Sequence, residues 1–203
     1  MSPGSVETVL GFRVKSGWAT AVLVRWPASA PEVLDRSRVE LSDPAVPATR
    51  QPHHAGMGVA QRDSAKVARL TETIRRCAER SIAELVQRHR RAGHHLSRAA
   101  IVVGSETDPA RITNPHIQAH AYEGQLFRQV VEEAGRSYQI QSVTFVERGL
   151  LERAEETLRT PAAELKRALT QLGRGVGGPW RAEEKAAALA AWILLAAPVV
   201  RAG

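Results

Sequence analysis

Three runs rich in β-branched and aromatic residues fill the first fifth of the chain, at residues 6–14, 18–26 and 31–41, and they constrain the fold more than any other feature. Lys15-Ser16-Gly17 leaves room only for a tight reversal between the first two, so the pair must be an antiparallel hairpin. The third run alternates Val33, Asp35, Ser37 and Val39 with Leu34, Arg36, Arg38 and Glu40. Charges spaced this way suit an edge strand that resists further pairing.

The pattern then stops. Residues 42–62 carry Pro44, Pro47, Pro52, Gly56 and Gly58 around His53-His54, and read as a long ordered loop. From Asp63 the apolar residues Val67, Leu70, Ile74, Cys77, Ile82 and Leu85 recur at helical steps, so a long amphipathic helix runs to about Arg91 and ends at Gly93. A buried strand over 99–104 follows. Asn114-Pro115 then gives a cap and first turn for a helix through about Ala134. Residues 139–146 form the last strand, and a helical segment at about 149–197 is interrupted by a glycine-rich hinge at 173–178.

Three antiparallel strands followed by helix, strand, helix, strand and helices require an α/β fold: a mixed sheet with helices on both faces. Right-handed crossovers place the fourth and fifth strands parallel to the first. At 203 residues the whole chain, 1–203, reads as a single domain.

This layout resembles the ribonuclease H-like superfamily, and specifically the RuvC-type Holliday-junction resolvases. Leu10-Gly11-Phe12-Arg13-Val14-Lys15-Ser16-Gly17-Trp18-Ala19 is similar to the resolvase opening hairpin, with Arg13 standing where the family has its first metal-binding aspartate. Val103-Gly104-Ser105-Glu106 resembles the strand end that carries a catalytic glutamate, which matches Glu106. Leu165-Lys166-Arg167-Ala168-Leu169-Thr170, Gly173-Arg174-Gly175 and Glu184-Lys185-Ala186-Ala187-Ala188-Leu189-Ala190 resemble the closing motifs, with Glu184 matching one aspartate and Ala187 replacing the next.

The resemblance implies two divalent ions, magnesium or manganese, in a cluster of carboxylates. A guanidinium at position 13 would instead repel such an ion by on the order of 8 kcal/mol at about 4 Å and an effective dielectric near 20. Arg13 and Ala187 thus argue against a two-metal nuclease. Arg13 is expected to pair with Glu106 or Glu184 in a groove that also holds Lys15 and Asp108, or else to lie solvated at the sheet rim.

Other residues suggest other chemistry. His116 and His120 lie four apart on a helix, with Glu123 one turn further, a spacing that can bind zinc or can equally be surface and capping residues. With His53 and His54 they could assemble a metal-dependent hydrolase site that also draws on Glu106. Arg88, Arg90, Arg91 and Arg98 form the densest basic patch, suited either to phosphate contacts or to a solvated face favoured by the helix dipole. The net charge of +7 favours polyanionic partners, although arginine-rich composition can also reflect codon bias.

A lone cysteine, Cys77, excludes an internal disulfide and suits a reducing, cytoplasmic setting. The first eight residues carry no secretory ramp, and the uncharged run at 186–200 is too short to span a bilayer. The leading expectation is a noncatalytic ribonuclease H-like protein, without a cofactor, that binds structured nucleic acid or a protein partner. A metal-dependent hydrolase and a structural component of an assembly are the alternatives.

Overall fold

The computed structural model describes residues 7–27, 30–56 and 59–197; Val6, Gly58 and residues 198–200 of the uncharged run lie outside them. Strands β1 (Thr8–Lys15), β2 (Trp18–Arg25) and β3 (Glu32–Glu40) form the expected antiparallel meander. Strands β4 (His54–Gly56) and β5 (Val59–Ala60) pair in a separate small hairpin. Strands β6 (Leu96–Val103) and β7 (Gln141–Val146) complete a five-stranded sheet in the order β3-β2-β1-β6-β7, with β6 parallel to both β1 and β7. The helices are α1 (Ser64–Arg91), α2 (Pro115–Arg136), α3 (Leu150–Leu158), α4 (Ala162–Leu172) and α5 (Ala182–Ala196).

Strand alternation divides the core between the two faces of the sheet. Leu10, Phe12 and Val14 of β1 pack with Ile74, Ile82 and Val86 of α1 and with Phe127 and Val130 of α2. Val9 of β1, with Val22 and Val24 of β2 and Ala100 and Val102 of β6, packs under α3, α4 and α5. Burial from both faces explains why β1 and β6 are almost continuously apolar, whereas β3 at the edge keeps its charges.

The helix starts follow from their caps. Asp63 Oδ1 accepts from the Lys66 backbone N–H at 2.9 Å, and Asn114 Oδ1 accepts from the backbone N–H groups of His116 and Ile117 at 3.0 and 3.2 Å. Pro115 occupies the first turn of α2, where a missing N–H costs nothing. Glu184 Oε2 accepts from the Arg181 N–H at 2.8 Å and closes the first turn of α5.

Three expectations need correction. The loop at 42–62 contains a 3₁₀ turn at Pro47–Arg50, where the fully buried Thr49 ties Asp43 and Val46 together through its hydroxyl, and then the β4–β5 hairpin. The fourth strand of the large sheet begins at Leu96, earlier than the apolar run, because Thr8 pairs with Leu96 at the start of β1. The glycine-rich segment at 173–178 is pinned: Trp180 Nε1 donates to the Leu169 carbonyl at 2.7 Å, and Arg36 Nε donates to the Gly177 carbonyl at 2.8 Å. No helix among the described residues is long and apolar enough to cross a membrane.

Gly11 sets the distance between α5 and the sheet. A Cβ built there would lie 2.0 Å from the backbone oxygen of Ala187 and 3.1 Å from the Ala191 Cβ. Backbone cannot move aside as a flexible side chain can, so even a methyl group must push the helix off the sheet. Gly11→Ala is expected to destabilise the protein by about 2–3 kcal/mol, the upper part of the overpacking range, as measured by urea denaturation. A variant as stable as the wild type would refute this packing.

Candidate functional site at the C-terminal edge of the sheet

Strands β1, β6 and β7 run parallel, so Lys15, Val103 and Val146 all end at one edge, the side on which open α/β sheets place their ligand crevices. A cavity of about 390 Å³ opens there, lined by Arg13, Lys15 and Ser16, by Ser105 and Thr107 after β6, and by His120 of α2.

Arg13 is nearly inaccessible, with its side chain 4% exposed. Its Nη2 donates to Glu147 Oε2 at 2.5 Å, and its Nη1 donates to the Val14 carbonyl at 2.6 Å. Nε is buried without a partner. The hydrogen bond from Arg13 holds the Glu147 carboxyl below its ordinary value, partial burial opposes the shift, and the charges of Arg13 and Lys15 add to it.

The partner of Arg13 is therefore neither Glu106 nor Glu184. Glu106 Oε1 accepts from Arg128 Nη1 at 3.0 Å, in an adjoining recess that also contains Asp108. Asp108 itself caps the 3₁₀ turn Pro109–Arg111 through the Ala110 N–H, at 2.9 Å. Glu184 caps α5 and lines a different recess with Trp18, Thr20 and Arg36. Lys15 Nζ lies 3.8 Å from Glu183 Oε1. Sequence reasoning missed Glu147 because the pair joins residues 134 positions apart. The available signal was an acid directly after the last strand, whose end must lie beside that of β6.

A second cluster borders the cavity. The β4–β5 hairpin brings His54 against the first turns of α2, where His116 and His120 share a face. His54 Nδ1 is 2.7 Å from Glu123 Oε1, His54 Nε2 is 3.2 Å from His116 Nδ1, and His120 Nδ1 is 3.5 Å from Glu123 Oε2. One nitrogen from each of His54, His116 and His120 lies within 4.8 Å of the other two. Glu123 is completely buried, and its Oε2 accepts no hydrogen bond. His53 is outside this cluster: its ring stacks on Tyr122 at 5.2 Å, and burial, followed by the neighbouring His54, pushes its pKa down.

The basic patch sits at the opposite edge of the sheet, and two of its members are already paired. Arg88 Nη2 donates to Asp35 Oδ2 at 2.6 Å and to the Ser37 hydroxyl at 3.0 Å. Arg98 is largely buried and donates to Glu7 Oε1 at 2.7 Å, because β6 carries it beside the start of β1. Arg90 Nη2 donates to the Tyr138 carbonyl at 2.7 Å, and Arg91 Nη2 donates to Gln87 Oε1 at 3.1 Å. Buried beneath the patch, His89 has its pKa pushed down by desolvation, against the opposing pull of Asp35.

No protein-family model and no curated protein matches the sequence. The strand order, its mixed directions and the helices on both faces define a ribonuclease H-like fold. Among solved structures the chain is similar to RuvC of Thermus thermophilus, with 12% identity, 92% of each chain covered and a TM-score of 0.52. It is also similar to T. thermophilus RuvC in complex with a Holliday-junction substrate, with 13% identity, 92% of this chain and 91% of that chain covered and a TM-score of 0.53. Identity this low speaks for the fold.

The four positions that the sequence resemblance matches to metal ligands are otherwise engaged in this structure. Position 13 holds a buried cation, position 187 holds a buried alanine packed on Gly11, Glu106 is paired with Arg128, and Glu184 closes a helix turn. Magnesium needs oxygen ligands aimed at one point.

The Arg13–Glu147 pair has a pH signature. A carboxyl group with a depressed pKa contributes its full stabilisation above its unfolded-state value of about 4.5 and loses it as pH falls through the lower folded value. The stability difference between wild type and Glu147→Gln should therefore be constant from pH 7 to about 5 and shrink below about 4.5, as followed by chemical denaturation. A difference that persists unchanged at pH 3 would refute the pairing.

Proposed function

We propose that this ribonuclease H-like protein binds structured nucleic acid across the C-terminal edge of its sheet and does not cleave it by the two-metal route. The observation that carries this reading is Arg13: a buried guanidinium stands at the end of the central strand, with Glu147 occupying its charge. Four basic residues surround the same edge. Lys15 lines the cavity, and exposed Arg50, Arg111 and Arg148 follow the β2–β3 meander, β6 and β7 respectively, none of these arginines in an ion pair among the described residues. The three arginines offer phosphate contacts that Arg88 and Arg98, already paired with acids, do not. The solved complex of a similarly folded resolvase makes a four-way DNA junction the first probe.

Three phosphate contacts predict a salt slope of about −2.7, so junction affinity should fall on the order of 40-fold between 50 and 200 mM salt. Arg148→Gln should reduce the slope by about one, and Arg88→Gln should leave it unchanged. Gel-shift titration measures both. Junction cleavage in magnesium or manganese that disappears in Glu106→Ala would overturn the noncatalytic reading, and salt-insensitive binding would overturn the edge contacts.

A further inference from the structure

We infer that His54, His116 and His120 form a binding site for a zinc-class divalent ion, with Glu123 orienting two of the three imidazoles. Neither the two-metal chemistry of the fold nor the nucleic-acid reading calls for this site, and it stands independently of both.

The geometry supplies a nearly assembled ligand set. Zinc takes imidazole nitrogens at about 2.0–2.1 Å, so two nitrogens on one tetrahedral ion lie about 3.3–3.4 Å apart. His54 Nε2 and His116 Nδ1 are 3.2 Å apart, close to that spacing. The three ligand nitrogens already lie within 4.8 Å of one another, and His120, half exposed, is free to rotate the remaining distance.

Glu123 supplies the independent second observation. Its side chain is fully buried, yet Oε2 accepts no hydrogen bond, an unfavourable arrangement unless positive charge lies close by. Oε1 sits 2.7 Å from His54 Nδ1, which assigns the proton to Nδ1 and leaves Nε2 for the metal. Oε2 sits 3.5 Å from His120 Nδ1, so turning His120 Nε2 toward the ion draws Nδ1–H onto the unpartnered oxygen. A carboxylate behind a ligating histidine is the usual way to fix its tautomer and ring orientation.

Three protein ligands leave a fourth position, and His120 also lines the 390 Å³ cavity. The fourth ligand is therefore water or a small anion entering from the cavity, beside Lys15. Imidazole ligands favour zinc, cobalt or nickel over magnesium and calcium, which take oxygen.

The test is calorimetric titration of the full chain, purified without a histidine tag, with zinc and with magnesium. About one equivalent of zinc should bind, and magnesium should not. His116→Ala and His120→Ala should each weaken zinc binding by on the order of 100-fold, and Glu123→Gln by about 10–100-fold. His53→Ala should bind as the wild type does. Because His120 is half exposed, His120→Ala is expected to fold, so its result stands even if Glu123→Gln does not fold. Cobalt should give the intense visible absorption of a tetrahedral site, and added inorganic phosphate should shift it. Failure of the wild type to bind zinc, or undiminished binding in His120→Ala, overturns the site. A weak octahedral cobalt spectrum overturns its geometry, and a spectrum indifferent to phosphate overturns the open position.

Discussion

The contact between α5 and β1 at Gly11 governs the arrangement of the candidate site. Ala187 can bring its backbone oxygen against the sheet only because position 11 has no side chain, and the small residues Ala188, Ala190 and Ala191 let the rest of the helix follow. That approach determines where α5 begins. Glu183 is thereby set near Lys15, and Glu184 is left to close the first helical turn rather than to face a metal. A larger residue at position 11 would displace the helix and, with it, every charge at its start.

At the end of β1, Arg13 shows how the same edge is stabilised without an ion. Parallel strands ending together leave backbone carbonyl oxygens along one rim that need a donor. Here the guanidinium takes up the Val14 carbonyl directly, and Glu147 from the neighbouring strand end balances its charge. The pair is partly solvated on the Glu147 side, so its worth lies in avoiding a bare buried cation more than in a large net gain. Removing Glu147 would leave the Arg13 guanidinium buried and uncompensated, whereas removing Arg13 would leave a carboxylate that water reaches.

Most of the architecture was legible because it is written in local period. Alternation in residues 31–41, helical spacing from Val67 to Leu85 and the Asn114-Pro115 cap each reach only a few positions along the chain. The side-chain partners were not legible in that way. Arg98 reads as an exposed cation until β6 is laid beside β1, when Glu7 claims it across a separation of 91 residues. Arg13 was recognisable as an anomaly, yet its partner depends on which strand ends lie adjacent. The β4–β5 hairpin has only a few paired residues and three prolines before it, Pro44, Pro47 and Pro52, too little period to separate it from a loop.

The histidine cluster falls between these two cases. The spacing of His116, His120 and Glu123 is a property of one helix and could be read directly, whereas His54 arrives from the separate β4–β5 hairpin. The start of the hairpin is held against α2 by the contacts of His54 with His116 and Glu123. His120 belongs both to the cluster and to the wall of the cavity that Arg13 and Lys15 also line. That shared residue makes the two features neighbouring parts of one edge of the molecule, joined by the first turns of α2.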